Sequence, residues 1–342
     1  MNLGPPDDRQ QPGLADAAPN ARNALLWTLA GTALGLTLLY AATRKVDAAA
    51  LAATLRSVDW PWIGVILAAT IAFCAIKAWR WGLLLIFVRS LSFRELHAAV
   101  YAGLAVNFLV AHVGEFLRAA TIARNRRVSM SAVLASVVVE RVLDFVALLL
   151  LLTLIGVAVP DRPAAVTTAA MVSAFVVIVM LGGLVVLLHP PPWSVQLASR
   201  LGRLLTERLQ RRLIDGLDSF RAGLAAMHNP GLLFRAVVLS ILQWTLITVA
   251  IWASARAVGL SATLIAATVT LVVIVVGLAL PNSPLQLGAT QLAFVVGLGT
   301  DGTGATPAIA ASLVYTSFLI LPVMLAGGFA LLRRPESPGG TP

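Results

Sequence analysis

The chain has 342 residues, is 59% hydrophobic and 12% charged, and has a mean hydropathy of +0.89. A soluble domain is about half apolar and a quarter charged, so composition excludes an ordinary soluble globule and points to an all-α, polytopic integral membrane protein. The net charge of +10 would suggest nucleic acid on a soluble chain. Here it marks cytoplasmic loops and contact with anionic lipid headgroups, and no nucleic-acid partner is expected. The one cysteine, Cys74, rules out an internal disulfide and reads as a small buried side chain. No Cys/His grouping suggests a metal, no G-x-x-x-x-G-K-[ST] suggests a nucleotide, and no cofactor is expected.

Residues 1–21 carry Pro, Gly and Asp and read as a disordered tail; residues 334–342 read as a second one. Between them, 22–333 form a single transmembrane domain. Apolar windows run from about Ala24 to Ala42, then from Trp60-Pro61 through "IGVILAATIAFCAIKAW". The end of that window, "KAWRW", places Lys77 and Arg80 beside Trp79 and Trp81 as an interfacial anchor. A third apolar piece, "LHAAVYAGLAVNFLVA", stops at the charged stretch "AHVGEFLRAA". Further windows cover about Val128 to Val159 and Thr167 to Leu188. The polar insertion 190–230 repeats leucine every three to four residues, with arginines largely off that stripe, and predicts an amphipathic helix pair on the cytoplasmic membrane surface. Windows at Leu232 to Ala257 and Ala262 to Leu280 follow, then the broken segment "PNSPLQLGATQLAFVVGLGTDG", then a last window near Ala308 to Leu332.

With the insertion inside, the basic residues are strongly biased to that side, so both termini are expected in the cytoplasm. Arg94 before the third apolar piece and Arg124 after it must then lie on one side. Residues 96–123 would enter and return as a re-entrant hairpin turning near "AHVGE". The "PNSPLQLGATQ" stretch would turn back in the same way from the opposite face. The expected architecture is about 7–8 spanning helices plus two re-entrant helical hairpins, the pattern of an inverted repeat around a midplane site.

Charges at membrane depth are expensive and mark functional sites. Glu115 and Arg118 share a helical face just past Gly114. In "VVVERVLDF", Glu140 and Asp144 share a face, with Arg141 turned about 100° away. Unpaired, these groups would be costly, so Arg118 is expected on Glu140 or Asp144, or Arg141 on Glu115. Two readings stand together: a structural ion network holding the hairpin, and a cavity for a lipid headgroup, whose phosphate would suit Arg118. Asn107, His112, Asn282, Gln286 and Gln291 are the uncharged candidates. They serve a headgroup or satisfy broken backbone.

"NFLVAHVGEFLRAATIARNRRVSMSAVLASVVVERVLDFVALLLLL" and "SPLQLGATQLAF", with Arg80-Trp81, resemble the flippase-like family: the transmembrane region of lysylphosphatidylglycerol synthase and its stand-alone relatives. The resemblance covers about residues 22 to 333. It implies movement of lipids across the bacterial cytoplasmic membrane, or handling of polyprenyl, hopanoid or phospholipid headgroups, with Glu115, Arg118, Glu140, Arg141 and Asp144 as functional positions. The family usually has Pro just before its Gly-Glu, where this chain has Val110 or Ala111. Its second motif often ends in Glu, where this chain has Gln291. The soluble aminoacyl-transferring domain is not expected here, and neither is lysyl transfer. The leading expectation is a non-enzymatic flippase for an anionic lipid, with membrane lipids as partners and homo-oligomerisation left open. A membrane-embedded headgroup or glycosyl transferase and a non-transporting lipid-binding scaffold are the rivals.

Overall fold

The computed structural model describes residues 21–110, 112–158, 164–188, 207–278 and 283–332. Residues 1–20 and 333–342, which hold all of the expected tails but Ala21, lie outside the described residues, as do all of 190–206 and Asn282. Within them the chain is helical, with twelve helices and no strand. Three of these helices are long and apolar enough to cross a membrane by length and composition: Trp60–Leu85 (α3), Pro230–Ala257 (α9) and Ala305–Leu332 (α12). The protein is a multi-pass membrane protein. The others are Ala21–Thr43 (α1), Ala48–Arg56 (α2), Phe93–Leu109 (α4), Val113–Arg126 (α5), Met130–Ala158 (α6), Ala164–Leu188 (α7), Glu207–Gly223 (α8), Leu264–Leu278 (α10) and Ala289–Leu298 (α11).

Two ends of the bundle can be told apart by their contacts. At one, the Asp59 N–H donates to the Ala257 carbonyl at 2.8 Å, that of Asp47 to Thr306 Oγ1 at 3.2 Å, and Trp252 Nε1 to the Ala262 carbonyl at 3.0 Å. Trp62 and Trp252 meet edge to face there, and Arg256 lies over both rings. At the other end, Leu85, Leu96, Ile122, Ala123 and Val133 form one buried cluster, while Leu84, Ala135, Leu224 and Ala236 form an adjacent one. We call these the Trp62 end and the Glu95 end.

The chain breaks where charge follows an apolar run. Helix α4 stops at Leu109, and His112 takes a left-handed conformation (φ 65°) before α5 begins. The two helices run back along each other. Gly103 and Gly114 cross backbone to backbone: a Cβ on Gly114 would strike the Gly103 carbonyl, and one on Gly103 would lie 2.9 Å from the Gly114 carbonyl. Only glycine permits that approach. The open end of this hairpin is stapled. Ser92 and Glu95 form a reciprocal cap on α4, and Glu95 Oε1 accepts from Arg126 Nε at 2.7 Å. At this surface position burial pushes the Glu95 carboxyl up, but Ser92 and Arg126 together outweigh it and hold it below its ordinary value.

A second hairpin repeats the design. Helix α10 returns as α11, with Gly297 seated on Thr270. The turn uses left-handed Leu285, Gln286 and Gly288. Its open end is closed by Asp301, whose Oδ2 accepts from the Thr263 N–H at 2.7 Å. The first hairpin opens at the Glu95 end and the second at the Trp62 end. Helix α10, read from sequence as its own window, is thus one arm of a hairpin, because its partner α11 follows directly and packs along it. The insertion contributes α8, which lies on α6 through Gly223 against the Ala132 backbone, with Phe220 and Leu224 turned inward.

Candidate functional site

The site is built around Glu140, fully buried on α6 about 15 Å along the helix axis from Met130. Four cations reach its two oxygens. Lys77 Nζ and Arg80 Nη2 donate to Oε1, the latter at 2.9 Å; Arg118 Nη2 donates to Oε2 at 2.6 Å; Arg141 Nη2 approaches Oε1 at 3.5 Å. Arg80 spans one helical turn by donating from Nη1 to Asp144 Oδ1 at 2.6 Å, and the same nitrogen reaches Ser240 Oγ at 2.6 Å. Trp244 Nε1 donates to Asp144 Oδ1 at 3.2 Å. Arg118 also pairs with Glu115 at 2.6 Å, and its guanidinium sits 4.5 Å over the Trp81 ring, whose Nε1 is held by Ser136 Oγ at 3.0 Å. Charge-assisted bonds of this kind offset the loss of water that burial imposes.

The break in the first hairpin brings Glu115 into this set. Asn107 Oδ1 accepts from the Gly114 N–H at 2.7 Å, fixing the start of α5, and Asn107 Nδ2 reaches Glu115 Oε1 at 3.5 Å. Glu115 then sits in the first turn of α5, where the helix end favours a carboxylate. Arg141 closes the set from the rim, with Nη2 2.9 Å from Asp144 Oδ2 and 3.4 Å from Glu115 Oε1. Its side chain is 38% exposed and that of Glu115 13%, whereas those of Lys77, Arg80, Glu140 and Asp144 are at 5% or less. The cluster therefore has a dry core and one open rim.

A family model for the lysylphosphatidylglycerol synthase TM region matches residues 28–327. The chain belongs to that family. No curated protein matches it. In this member of the lysylphosphatidylglycerol synthase TM region family, the five charged positions singled out from sequence, Glu115, Arg118, Glu140, Arg141 and Asp144, come together in one network, with Asn107 beside them. Both anticipated cross-pairs, Arg118 with Glu140 and Arg141 with Glu115, are present. Arg141 also folds back onto Asp144 of its own helix.

One reading is corrected. Lys77 and Arg80 are not interfacial anchors: they are 4% and 0% exposed and lie at the centre of the network. Helix α3 continues to Leu85, so "KAWRW" ends one to two turns inside the bundle rather than at its surface. Of that pentapeptide only Trp79 faces outward. Lys77, Arg80, Trp81, Ser240 and Trp244 are the site residues that sequence reasoning did not assign to it. The signal was present for the first three, since Lys77, Arg80 and Trp81 fall at i, i+3 and i+4 on one face.

The remaining candidates are elsewhere. His112 is exposed at the hairpin tip and makes no side-chain cap. Gln286 is half-buried in the turn of the second hairpin. Gln291, 1% exposed, caps its own half-helix: Oε1 accepts from the Gly288 N–H at 2.6 Å. Among the described residues, no hydrogen bond or ion pair joins these to the charge cluster. The two hairpin tips nonetheless share a device. Each holds a glycine amide at the start of its return helix on a side-chain carboxamide, Gly114 on Asn107 in one and Gly288 on Gln291 in the other.

Proposed function

We propose that this chain is a lipid flippase of the bacterial cytoplasmic membrane. It would move an anionic lipid or lipid-linked headgroup without chemical change, so it is not an enzyme. The carrying observation is the buried charge cluster, with four cations against three carboxylates, placed deep along α6 and open only at Arg141 and Glu115. Such groups at membrane depth line polar pathways rather than lipid-facing surfaces. On this reading α1, α3, α6, α7, α9 and α12 cross the bilayer, and the two hairpins are re-entrant from opposite faces, as in an inverted repeat. Their opposite open ends support that. Crossings are fewer than the sequence windows suggested because α10 returns as an arm of the second hairpin. The Glu95 end, which carries Arg89, Arg94, Arg124, Arg126 and Arg127, faces the cytoplasm. The headgroup passes the rim of the cluster while the acyl chains stay in the bilayer.

The test uses protein reconstituted in vesicles carrying fluorescently headgroup-labelled phosphatidylglycerol, with leaflet exchange read by an impermeant quencher. Arg141→Ala, Arg118→Ala and Glu115→Ala should abolish exchange while protein remains folded by size-exclusion profile. Unchanged rates in all three variants would overturn the assignment of the site. Chemically altered lipid in the product would favour a transferase instead.

A further inference from the structure

The charge cluster does not balance, and the imbalance falls on one residue. Glu140 receives Lys77 and three guanidiniums, from Arg80, Arg118 and Arg141. Glu115 receives Arg118 and Arg141, and Asp144 receives Arg80 and Arg141. Without Lys77, three guanidiniums still meet three carboxylates, and every carboxylate keeps at least two guanidinium partners. Lys77 is surplus as a charge. It is also the only one of the four cations whose proton can leave, because a guanidinium stays charged while an amine does not have to. As a free amine Lys77 still donates a hydrogen bond to Glu140, and the cluster is neutral. As an ammonium it leaves one unbalanced positive charge at membrane depth, which is costly unless an anion joins it.

Three donors in the same cluster lack a partner: Arg80 Nε, on a side chain 0% exposed, Arg118 Nη1, on a side chain 2% exposed, and Arg141 Nε, on the residue at the open rim. Buried donors are almost always matched; Arg80 Nε lies in the dry core, whereas Arg118 and Arg141 both reach Glu115 at the open rim, so Arg118 Nη1 and Arg141 Nε mark where an acceptor from outside the chain belongs. The groups facing Lys77 are all accounted for. From α6 come Glu140 and Arg141, and from α5 Arg118 and Glu115. Its own helix brings Arg80 and Cys74, and α4 brings Tyr101 beside Cys74. Helix α9 offers the uncharged Ser240 and Trp244 at this level, its two arginines lying near its ends. Helix α12 carries no charge and one phenol, Tyr315, packed on Phe294.

We propose that this chain takes up one proton on Lys77 together with one monoanionic phosphodiester headgroup, whose oxygens meet Arg118 Nη1 and Arg141 Nε. The step breaks no bond in the lipid. A proton from water adds to the amine, the headgroup supplies the single negative charge that offsets it, and both leave together. The proposal rests on the headgroup reading of the site and adds proton coupling and a charge of minus one to it. A net-neutral zwitterionic headgroup would leave the ammonium unbalanced.

The experiment is calorimetric titration of the delipidated full chain in non-ionic detergent with dihexanoyl-phosphatidylglycerol, run at one pH in two buffers of different ionisation enthalpy. The buffer dependence of the heat gives the protons taken up per headgroup, and wild-type protein should take up about one. Lys77→Arg, a permanently charged stand-in, should bind with no proton uptake. Lys77→Met should bind about tenfold more weakly, also with none. Dihexanoyl-phosphatidylcholine should bind wild type more weakly and without a proton. Wild-type binding with no proton uptake overturns the coupling and leaves the headgroup site standing. Uptake that survives in Lys77→Met assigns the proton elsewhere and overturns the role of Lys77. Folded wild-type protein that binds no phosphatidylglycerol sinks the headgroup reading and the coupling with it. The wild-type measurement decides by itself if either variant fails to fold.

Discussion

Glu140→Gln is the substitution that tests the network most directly. The side chain keeps its size and one carbonyl oxygen but loses the charge that Lys77, Arg80, Arg118 and Arg141 converge on. Three guanidiniums and the Lys77 amine then face two carboxylates. Removing one partner from a buried ion pair costs about 3–5 kcal/mol, because the other charges remain buried. That is a large fraction of the ~5–15 kcal/mol that separates folded from unfolded domains. Lys77→Met by itself should cost little, about 1.5 kcal/mol or less, since methionine fills similar space and three guanidiniums still serve Glu140. In the Glu140→Gln background the charge-assisted bond that Lys77 gives Glu140 is already lost, so Lys77→Met costs less there and the double variant should recover about 0.5–1.5 kcal/mol relative to the sum of the singles. Denaturant or thermal unfolding in detergent, carried out as a double-mutant cycle, measures all three. A Glu140→Gln cost below about 1 kcal/mol, or strict additivity of the pair, would refute the argument that Glu140 organises the cluster and holds Lys77.

Gly114→Ala should open the first hairpin, because its methyl meets the Gly103 carbonyl; overpacking of this kind costs about 1–3 kcal/mol, read as a lowered unfolding temperature. The staple at the open end should depend on acid in one direction only. The folded Glu95 carboxyl titrates below its ordinary value, so its contribution is present above the unfolded pKa of about 4.3 and lost as pH falls through the lower folded value. Being part-exposed, the pair with Arg126 contributes under about 1 kcal/mol, and spin-label distances between 94 and 127 should lengthen only in that acid range. Asp301→Ala removes the group that holds the Thr263 N–H and hydroxyl. It should cost about 1 kcal/mol and show as faster amide exchange over 263–266 than elsewhere in α10.

The first helix break was legible because three cues coincide between 107 and 118: an apolar run that stops, a glycine, and charges placed where lipid cannot solvate them. Electrostatics narrowed the partner of Arg118 to Glu140 or Asp144, one turn apart on the same face, and the structure pairs it with Glu140. Lys77 and Arg80 were misplaced for a physical reason. Lys and Arg beside Trp at the end of an apolar window is the pattern of an interfacial anchor, and only the continuation of α3 to Leu85 moves them inward. Helix α2 was missed because it is short and fully buries no residue; only Leu51 and Leu55, one turn apart, lean on the core. Its start was nonetheless written in Asp47, whose side chain accepts from the Ala49 and Ala50 amides. The role of α10 could not be read locally. Its sequence is apolar all round, and the close seat of Gly297 on Thr270, which makes it a hairpin arm, joins residues far apart in the chain.

The two hairpins are alike in backbone and unlike in charge, and that difference bears on how a headgroup could be released. Each tip starts a return helix with a glycine amide held by a carboxamide, and each turn uses left-handed residues there. Around the first tip, however, stand four cations and three carboxylates, while the second offers only neutral groups, among them buried Thr290 and Gln291, whose Oγ1 and Nε2 have no partner. A site that binds an ion strongly slows its departure, so a pathway needs a weaker station beyond the strong one. Under the flippase reading the charged tip is the strong station and the neutral tip the weak one. Glutamate at position 291 would reverse that ordering by repelling a phosphate there. Gln291→Glu should therefore slow leaflet exchange of phosphatidylglycerol in vesicles while leaving calorimetric binding at the charged tip within about twofold of wild type. Exchange at the wild-type rate in that variant would remove the second hairpin from the pathway.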